Sequence, residues 1–469
     1  METNKARNIY TVAVFILLAS LDNAVIGIFP PLFSSIARDL RIHVSNLGEI
    51  SAVNIFVISI SSIFWGFLAD KGSRKRLIIA GTVIWSAAVY LTARSGNYFQ
   101  LMLSQLFTGA GLGCISSIGF SVLSDYTPRK WRGTMMSMWS MSQGFGTIAG
   151  STMASIIAPA YSWRKPFEVI AVLGLLFIFL YFFVQEPKKG AAEPELKEIL
   201  KGGHDYGYTI EMSHISDMLA RKSNRLLILQ AFFMNITAGT LIWLPTLFIA
   251  KIEKQGYGPG IAVVAAGYMY AISQLGGVIS AYLGYLGDRF QKRIAGGRAF
   301  FTALAISVAV PLYTLMFAIP MKDLFLPSAS NPIAILTVLI REVFTNPWIF
   351  SMFALSLVAS AANSANYPNW LAMLIDVNLP EHRATVYSIG NLVTGIARSL
   401  GNLLIGIVLG IMSRFSPEPF NFIQTLTLFQ AFVVPAAACY LAVTKTYRRD
   451  AESVESTLKE RAKMYRTES

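Results

Sequence analysis

Twelve apolar stretches recur along this chain of 469 residues, and they constrain its fold more than any other feature. A helix needs about 20 predominantly apolar residues to cross a lipid bilayer. Only 14% of the residues are charged, whereas about 25% is usual in a soluble domain. The formal net charge of +13 comes from short basic clusters between the apolar stretches, so nucleic acid is not an expected partner. The sequence therefore predicts an all-α integral membrane protein in contact with the lipid bilayer.

The predicted spans are distributed evenly along the chain. They cover residues 9–33, 46–69, 77–93, 98–124, 133–158, 167–185, 226–250, 259–287, 299–319, 348–375, 384–413 and 420–444. A further apolar stretch, residues 324–340, contains two prolines, and we predict it to be a loop or an interfacial segment. With this count, 28 of the 39 basic residues lie on the same side of the membrane as both termini. The positive-inside rule then predicts cytoplasmic termini, in the inner membrane if the source is prokaryotic.

A polar linker divides the predicted spans into six and six. We predict an N-terminal six-helix bundle at 1–185, a cytoplasmic linker at 186–225, a C-terminal six-helix bundle at 226–444 and a cytoplasmic tail at 445–469. The two bundles are expected to be pseudo-symmetric, because two motifs in the first half recur in the second.

Both repeated motifs combine an aspartate with basic residues. The first, G-x-x-x-D-[KR], begins at Gly66 and again at Gly284, and a basic cluster follows each copy. In the second, an aspartate precedes an arginine by seven residues, as in Asp125 to Arg132 and Asp376 to Arg383. We predict that these loops form a cytoplasmic gate, made of Gly66, Asp70, Arg74, Lys75, Asp125, Arg132, Gly284, Asp288, Arg289, Asp376 and Arg383.

The duplicated loop motif resembles the best-known signature of the major facilitator superfamily, which is built from parallel repeats. The resemblance implies two six-helix bundles that rock about a central cavity, open alternately to each side. Residues 144–150, 163–187 and 239–248 are similar to the spinster-like branch, whose members are thought to move lysophospholipids or sphingoid phosphates. Two positions depart from the pattern, since Gln105 and Leu112 stand where an arginine and a glutamate are often found.

Helix electrostatics suggest a role for the motif aspartates. An aspartate can cap the positive N-terminus of a helix in the opposite half. We expect Asp70 to cap span eleven near Thr385, and Asp288 to cap span five near Thr134. Gly66 and Gly284 would allow a close helix approach at these contacts. Both aspartates are thus predicted to be gate latches rather than substrate ligands.

Two charged residues, Asp22 and Arg398, are predicted to lie near the middle of the membrane. A charge at this depth costs roughly 2.5 to 3.5 kcal/mol on insertion scales. One interpretation is an ion pair that fixes helix packing. The other is a protonatable carboxylate and an anion-binding cation in one cavity. Polar and aromatic side chains that could line this cavity, or bond helices together, are Asn54, Gln105, Gln143, Gln230, Asn235, Asn363, Asn366, Tyr367, Trp370, Asn391 and Asn402.

These features favour a secondary active transporter that works by alternating access and is coupled to protons or Na⁺. The expected substrate is an amphiphilic anion such as a lysophospholipid, with Arg398 holding its headgroup. The alternative is a proton-coupled drug or small organic anion transporter of the same superfamily. No cluster of histidines or cysteines supports an enzyme or a metal site, and no G-x-x-x-x-G-K-[ST] motif supports ATP-driven transport. No cofactor is expected, and we predict a monomer.

Overall fold

The computed structural model describes residues 2–119, 122, 132–184, 218–328, 331–378 and 382–468. All regular elements in these ranges are helical, which confirms the predicted all-α class. The α-helices are α1 (Glu2–Ile28), α2 (Phe33–Leu40), α3 (Val44–Lys71), α4 (Arg74–Arg94), α5 (Tyr98–Cys114), α6 (Arg132–Ala160), α7 (Lys165–Phe182), α8 (Lys222–Glu253), α9 (Pro259–Ser273), α10 (Ser280–Arg293), α11 (Gly297–Ala318), α12 (Pro332–Thr345), α13 (Pro347–Ser364), α14 (Asn366–Asp376), α15 (Arg383–Met412), α16 (Phe420–Gln430) and α17 (Val433–Glu468).

Eleven helical segments among the described residues are long and apolar enough to cross a membrane. The 29-residue helix α6 occupies the position of the predicted fifth span and is additional to those eleven. Three of the predicted spans in the C-terminal half are interrupted helices. A 3₁₀ segment, Leu275–Ile279, joins α9 to α10, while α13 is followed by α14 and α16 by α17 across short breaks. Such breaks leave backbone groups without intrahelical partners, which is tolerated where the helix faces a cavity rather than lipid.

Local sequence signals explain several of the helix ends. The side chains of Ser73 and Asn97 accept hydrogen bonds from backbone amides in the first turns of α4 and α5. Asn346 does the same for α13, where Pro347 occupies the first helical position. Side-chain oxygens at these positions satisfy amides that have no partner within the helix.

The segment predicted as a loop or interfacial stretch is helical from Pro332 onward. Helix α12, capped by Asn331, has 14 residues and is therefore about 21 Å long, shorter than the roughly 30 Å hydrocarbon core. Its buried Glu342 accepts hydrogen bonds from the Phe325 backbone amide and the Asn346 side chain. These bonds tie α12 to the chain on both sides of it, so it is a docked helix and not a loop.

The predicted cytoplasmic tail is a direct continuation of the last span. Helix α17 runs through residue 445 without a break, and Tyr447 is buried. The Tyr447 hydroxyl donates to Asp376 at 2.6 Å, and the Ser223 amide donates to Asp450 at 2.9 Å. The first turns of the tail thus pack against the C-terminal half, and no break in the helix marks residue 445, so the predicted division there stays a prediction. Most of the predicted linker, residues 185–217, lies outside the described residues.

The two halves contact each other at one end of the helix bundle, which we call the closed end and define by the ion pair of Arg38 on α2 with Glu253 on α8 at 2.7 Å. Next to it, the rings of Phe33 and Trp243 meet edge-to-face with their centroids 5.2 Å apart. Helices α3 and α15 form one seam between the halves, and α6 and α9 form the other. Glycines at both seams allow the helices to approach closely, as at Gly267.

Candidate functional site

A cavity of about 650 Å³ lies between the halves, and helices of the C-terminal half supply most of its wall. The N-terminal half contributes α6, through Gly144, Phe145, Thr147 and Ile148. Polar and aromatic residues on the wall are Gln230, Asn235, Thr237, Thr240, Tyr270, Gln274, Ser280, Tyr313, Asn363, Ser364, Asn366, Tyr367, Trp370, Thr394, Arg398 and Gln430. Among the described residues, the hydrogen-bonding groups of the wall are therefore concentrated on the C-terminal half.

Arg398 is the charged side chain among the described residues of this wall. It projects from the middle of α15 and is exposed. Tyr270 on α9 lies close enough to interact with it electrostatically. No carboxylate pairs with Arg398 within the part of the chain that the structure describes. A guanidinium group with five N–H donors and no acidic partner can bind a carboxylate or phosphate through two parallel hydrogen bonds.

Two side-chain amides and a tyrosine form a connected group elsewhere on the cavity wall. Gln230 Nε2 donates to Asn366 Oδ1 at 2.9 Å, and the Tyr440 hydroxyl donates to the same oxygen at 2.7 Å. Gln230 is fully buried, and its Oε1 has no hydrogen-bond partner among the described residues. This group fixes the orientation of both amides and leaves one acceptor unused.

An aromatic surface continues the wall beyond the amides. The rings of Tyr367 and Trp370 stack with centroids 6.2 Å apart, and the Tyr367 hydroxyl shares a hydrogen bond with Tyr387 at 2.9 Å. Trp370 Nε1 donates to the Leu227 carbonyl at 3.0 Å. These rings are held rigidly and offer apolar faces to a bound molecule.

Seven of the predicted lining residues do lie on this cavity. They are Gln230, Asn235, Asn363, Asn366, Tyr367, Trp370 and Arg398. Six of them come from three helices of the C-terminal half, α8, α14 and α15, and Asn363 comes from the end of α13. The polar spacing in the sequence thus located the C-terminal wall.

Asp22 is not part of this cavity. Its side chain is 4% exposed, neither carboxylate oxygen has a hydrogen-bond partner in the described residues, and Cys114 of α5 is nearby. The prediction that Asp22 and Arg398 share one cavity is therefore wrong in this arrangement. The Asp22 side chain on α1 points into the N-terminal bundle, whereas the Arg398 side chain on α15 points into the space between the bundles.

Three further predicted lining residues form helix-to-helix bonds instead. Within the N-terminal half, Asn54 Nδ2 donates to the Gln105 backbone carbonyl at 2.8 Å, and Gln105 Nε2 donates to Thr92 at 3.0 Å. At the closed end, Asn402 Oδ1 accepts from Trp243 Nε1 at 2.9 Å. These buried amides are satisfied by protein groups, so they connect helices rather than face the cavity.

The other two predictions of this kind have different outcomes. Asn391 is exposed on α15 and does not belong to the cavity wall. The side chain of Gln143 lies outside the described residues.

The gate residues in the C-terminal half pair within that half. Asp288 binds Arg298 at 2.7 Å, and Arg298 also pairs with Asp376, which accepts from Tyr447. The side chain of Thr134, where Asp288 is predicted to cap span five, lies outside the described residues, so that cap stays a prediction beside the observed pair with Arg298. The sequence analysis did not single out Arg298, which is the cation that joins α10, α11 and α14.

The remaining gate predictions also change in detail. A Cβ on Gly66 would meet Ser117 at an ordinary 3.9 Å, so no close approach among the described residues requires that glycine. A Cβ on Gly284 would lie 3.2 Å from Pro368, a tight contact inside the C-terminal half. Lys75 Nζ donates to the carbonyls of Phe182 and Val184 at the end of α7.

Arg74 is buried at the start of α4, and Arg289 is exposed on α10. Asp125 and the side chains of Asp70, Arg132 and Arg383 lie outside the described residues.

Sequence reasoning missed Tyr270 and Tyr313 on the cavity wall and Trp243 at the closed end. Aromatic residues are common in membrane helices, where most face lipid or neighbouring helices. Their spacing alone therefore carried no signal for a site.

Comparisons with known proteins agree with this architecture. A family model described as Major Facilitator Superfamily matches residues 12–326. Protein spinster of Drosophila melanogaster is 22% identical over 288 residues, which is 60% of this chain and 46% of that protein. The 4-hydroxybenzoate transporter PcaK of Pseudomonas aeruginosa is 23% identical over 301 residues, 59% of this chain and 65% of the relative. The matched region thus spans less than two thirds of either curated relative.

A solved structure is also similar over nearly the whole fold. It is the crystal structure of a bacterial homolog to the human lysosomal transporter spinster, in an inward-facing and unoccupied conformation. The two structures align with a TM-score of 0.74 and 18% sequence identity, covering 95% of this chain and 98% of the other. The likeness establishes the fold.

Proposed function

The chain belongs to the Major Facilitator Superfamily, and from that premise we propose that this transporter moves an amphiphilic anion whose charged group binds Arg398. The carrying observation is a cavity between the halves with an exposed arginine and no acidic partner for it in the described residues. An unpaired cation in a membrane protein is costly, so its retention in a cavity is best explained by an anionic ligand.

The surroundings of Arg398 suit a molecule that is polar at one end and apolar at the other. Tyr367, Trp370 and Phe145 offer apolar surface, while the amides of α8 and α14 offer hydrogen bonds. The similarity to spinster proteins supports a lysophospholipid as the amphiphile. In this proposal Arg398 holds the phosphate and the aromatic wall receives the acyl chain.

A small organic anion is the second candidate. The similarity to the 4-hydroxybenzoate transporter PcaK favours it, because an aromatic carboxylate would also fit a cavity of about 650 Å³. Both candidates require Arg398, and they differ in whether a long apolar chain contributes to binding.

Alternating access supplies the transport cycle. We infer that the closed end faces away from the cytoplasm, as the positive-inside rule predicts, and that the cavity exchanges substrate with the cytoplasm in this arrangement. Opening would require separation of Arg38 from Glu253 and of Phe33 from Trp243.

Asp22 is our candidate for proton coupling. A carboxylate that is 4% exposed and has no hydrogen-bond partner in the described residues is poorly stabilised as an anion. If the transport cycle changes the access of water to Asp22, the side chain would exchange a proton once per cycle. We propose that it acts through the packing of α1 rather than by direct contact with Arg398.

Ligand binding by the purified protein tests the proposal. We would titrate 1-oleoyl-lysophosphatidylglycerol, uncharged mono-olein and 4-hydroxybenzoate into wild-type protein, the Arg398→Ala variant and the Arg398→Lys variant. The anions should lose at least tenfold in affinity with alanine, and lysine should restore part of it because it keeps the charge without the planar fork.

The Arg414→Ala variant is the matched control, because Arg414 is exposed in the loop between α15 and α16. Binding of both anions that is equal in wild type and Arg398→Ala would refute the role of Arg398. A preference for mono-olein over either anion would refute the anionic substrate.

A further inference from the structure

We propose that Gln230 is a specificity-determining residue, which selects substrates that carry a hydrogen-bond donor such as a hydroxyl group in addition to their anionic group. This inference rests on the proposed function, because it concerns the same cavity. It starts from the unused acceptor on the cavity wall: Gln230 lines the cavity, is fully buried, and leaves its Oε1 without a partner among the described residues.

The neighbouring hydrogen bonds fix which end of the Gln230 amide is free. Asn366 Oδ1 accepts from both Gln230 Nε2 and the Tyr440 hydroxyl, at 2.9 and 2.7 Å. Turning the Gln230 amide over alone would place its oxygen against the Asn366 oxygen and lose a hydrogen bond. Turning both amides over would leave the buried Tyr440 hydroxyl without an acceptor among the described residues. The network therefore assigns the nitrogen to Asn366 and leaves Oε1 as the free acceptor.

Buried acceptors are seldom left without a donor, since most buried polar side-chain atoms have a partner. Tyr440 is itself fully buried, so the network is held rigidly from behind by α17. A preorganised acceptor of this kind increases the affinity for a ligand that supplies a donor and discriminates against one that does not.

The Asn366 side chain extends the same recognition surface. Its Oδ1 is used twice, but its Nδ2 donates no hydrogen bond within the described ranges, and the residue is only partly buried. Gln230 and Asn366 thus carry an unused acceptor and an unused donor on two side chains that are hydrogen-bonded to each other. A hydroxyl group can donate to the first and accept from the second. Oε1 is covered in this arrangement, so a ligand hydroxyl reaches it when the side chains packed over it move aside.

The ligand chemistry that fits both sites is an anion with a hydroxyl group. A lysophospholipid has this chemistry, because its glycerol carries a free hydroxyl near the phosphate. A small hydroxy acid has it as well. A matched ligand pair exists for each source: 1-oleoyl-lysophosphatidate with its 2-deoxy analogue, and 4-hydroxybenzoate with benzoate.

The test measures the affinity of each ligand pair for wild-type protein and for the Gln230→Met variant, which keeps an unbranched side chain of similar length but lacks the acceptor. In wild type we expect the hydroxyl-bearing member of at least one pair to bind about tenfold more tightly. In Gln230→Met this ratio should fall to near one, while the affinity of the member without the hydroxyl changes little. The pair that shows the effect identifies the source of the substrate.

The Gln230→Glu variant provides a second readout that does not depend on Gln230→Met being stable. Glutamate retains an acceptor at this position but not the donor to Asn366, so the hydroxyl preference should persist while overall anion affinity falls. A wild-type ratio near one for both pairs would overturn the inference, and so would an unchanged ratio in Gln230→Met. Failure of the proposed function gives a different result. In that case Arg398→Ala would not lower the affinity for any of the four ligands.

Discussion

Replacement of Gly267 by alanine should push the transporter away from the arrangement described above. Gly267 on α9 faces Ser155 on α6 across one of the two seams between the halves. A Cβ at residue 267 would lie 1.8 Å from the Ser155 Oγ and 2.3 Å from its Cβ. Rotating the serine hydroxyl would remove the first clash but not the second, so the helices themselves must move.

The size of the effect follows from these distances. Carbon atoms in contact are ordinarily about 3.5 to 4.0 Å apart, so α6 and α9 must separate by more than ~1 Å. Overpacking of this kind typically costs about 1 to 3 kcal/mol. If the seam opens in the other state of the cycle, Gly267→Ala shifts the equilibrium away from the closed arrangement by roughly 5 to 150-fold.

Spin-label distances can measure this shift. Tyr161 in the N-terminal half and Phe415 in the C-terminal half are 76% and 78% exposed at the closed end, so both tolerate a label after mutation to cysteine. The native cysteines, Cys114 and Cys439, are buried and would be replaced first. In Gly267→Ala the population with a long distance between the labels should increase, because the closed end opens.

Two further variants make the test specific. Gly258→Ala is the matched control, since a Cβ there meets nothing within 4 Å, and it should leave the distances unchanged. The double variant Gly267→Ala/Ser155→Gly removes the clashing side chain and should restore the wild-type distribution. The reasoning is refuted if folded Gly267→Ala protein shows the wild-type distribution, or if the double variant stays as shifted as the single one.

Three other predictions concern charge and hydrogen bonding. Burial, with help from the nearby Glu253, raises the pKa of Glu418; a carboxyl with a raised pKa destabilises the state that contains it as pH rises through that pKa. The contribution of Glu418 to the free energy of unfolding should therefore be most favourable below the ordinary glutamate pKa and should become less favourable towards neutral pH. Thermal unfolding at a series of pH values measures this change, and Glu418→Gln should abolish it. Trp243→Phe should destabilise the closed end by about 1 kcal/mol, because Asn402 loses its donor, and an unchanged label-distance distribution would contradict this. Asp22→Asn should abolish uphill uptake driven by a pH difference in proteoliposomes while downhill exchange persists, and uphill uptake at the wild-type rate would exclude Asp22 from proton coupling.

The membrane fold could be predicted from the sequence because its signals are local. A span is recognised from the length and apolar character of one stretch, and the repeated Asp-plus-basic loops identify two related halves without any tertiary information. The same holds for the C-terminal wall of the cavity. Arg398 could be singled out because a charge in an apolar helix is rare and costly wherever the helix lies.

Long-range contacts decided the rest. Asp22 has the same sequence signal as Arg398, yet α1 buries it inside one bundle while α15 places Arg398 between the two. Periodicity tells which residues share a face of a helix but not which neighbour that face meets. Likewise, Asp288 pairs with Arg298, ten residues further along the chain, a partner that the repeated motif did not indicate.

The buried amides show the same limit most directly. Asn402 and Gln230 are both amides within long apolar helices, and nothing in their local sequence distinguishes them. The side-chain oxygen of Asn402 accepts a hydrogen bond from Trp243, 159 positions away in the chain, and this bond connects α8 and α15 within the C-terminal half. Gln230 retains a free acceptor on the cavity wall, because Asn366 and Tyr440 take up only its nitrogen side. Whether a buried polar group has a hydrogen-bond partner depends on which groups folding brings together. The sequence therefore identifies candidate polar residues, while the tertiary structure determines which of them are free to bind a substrate.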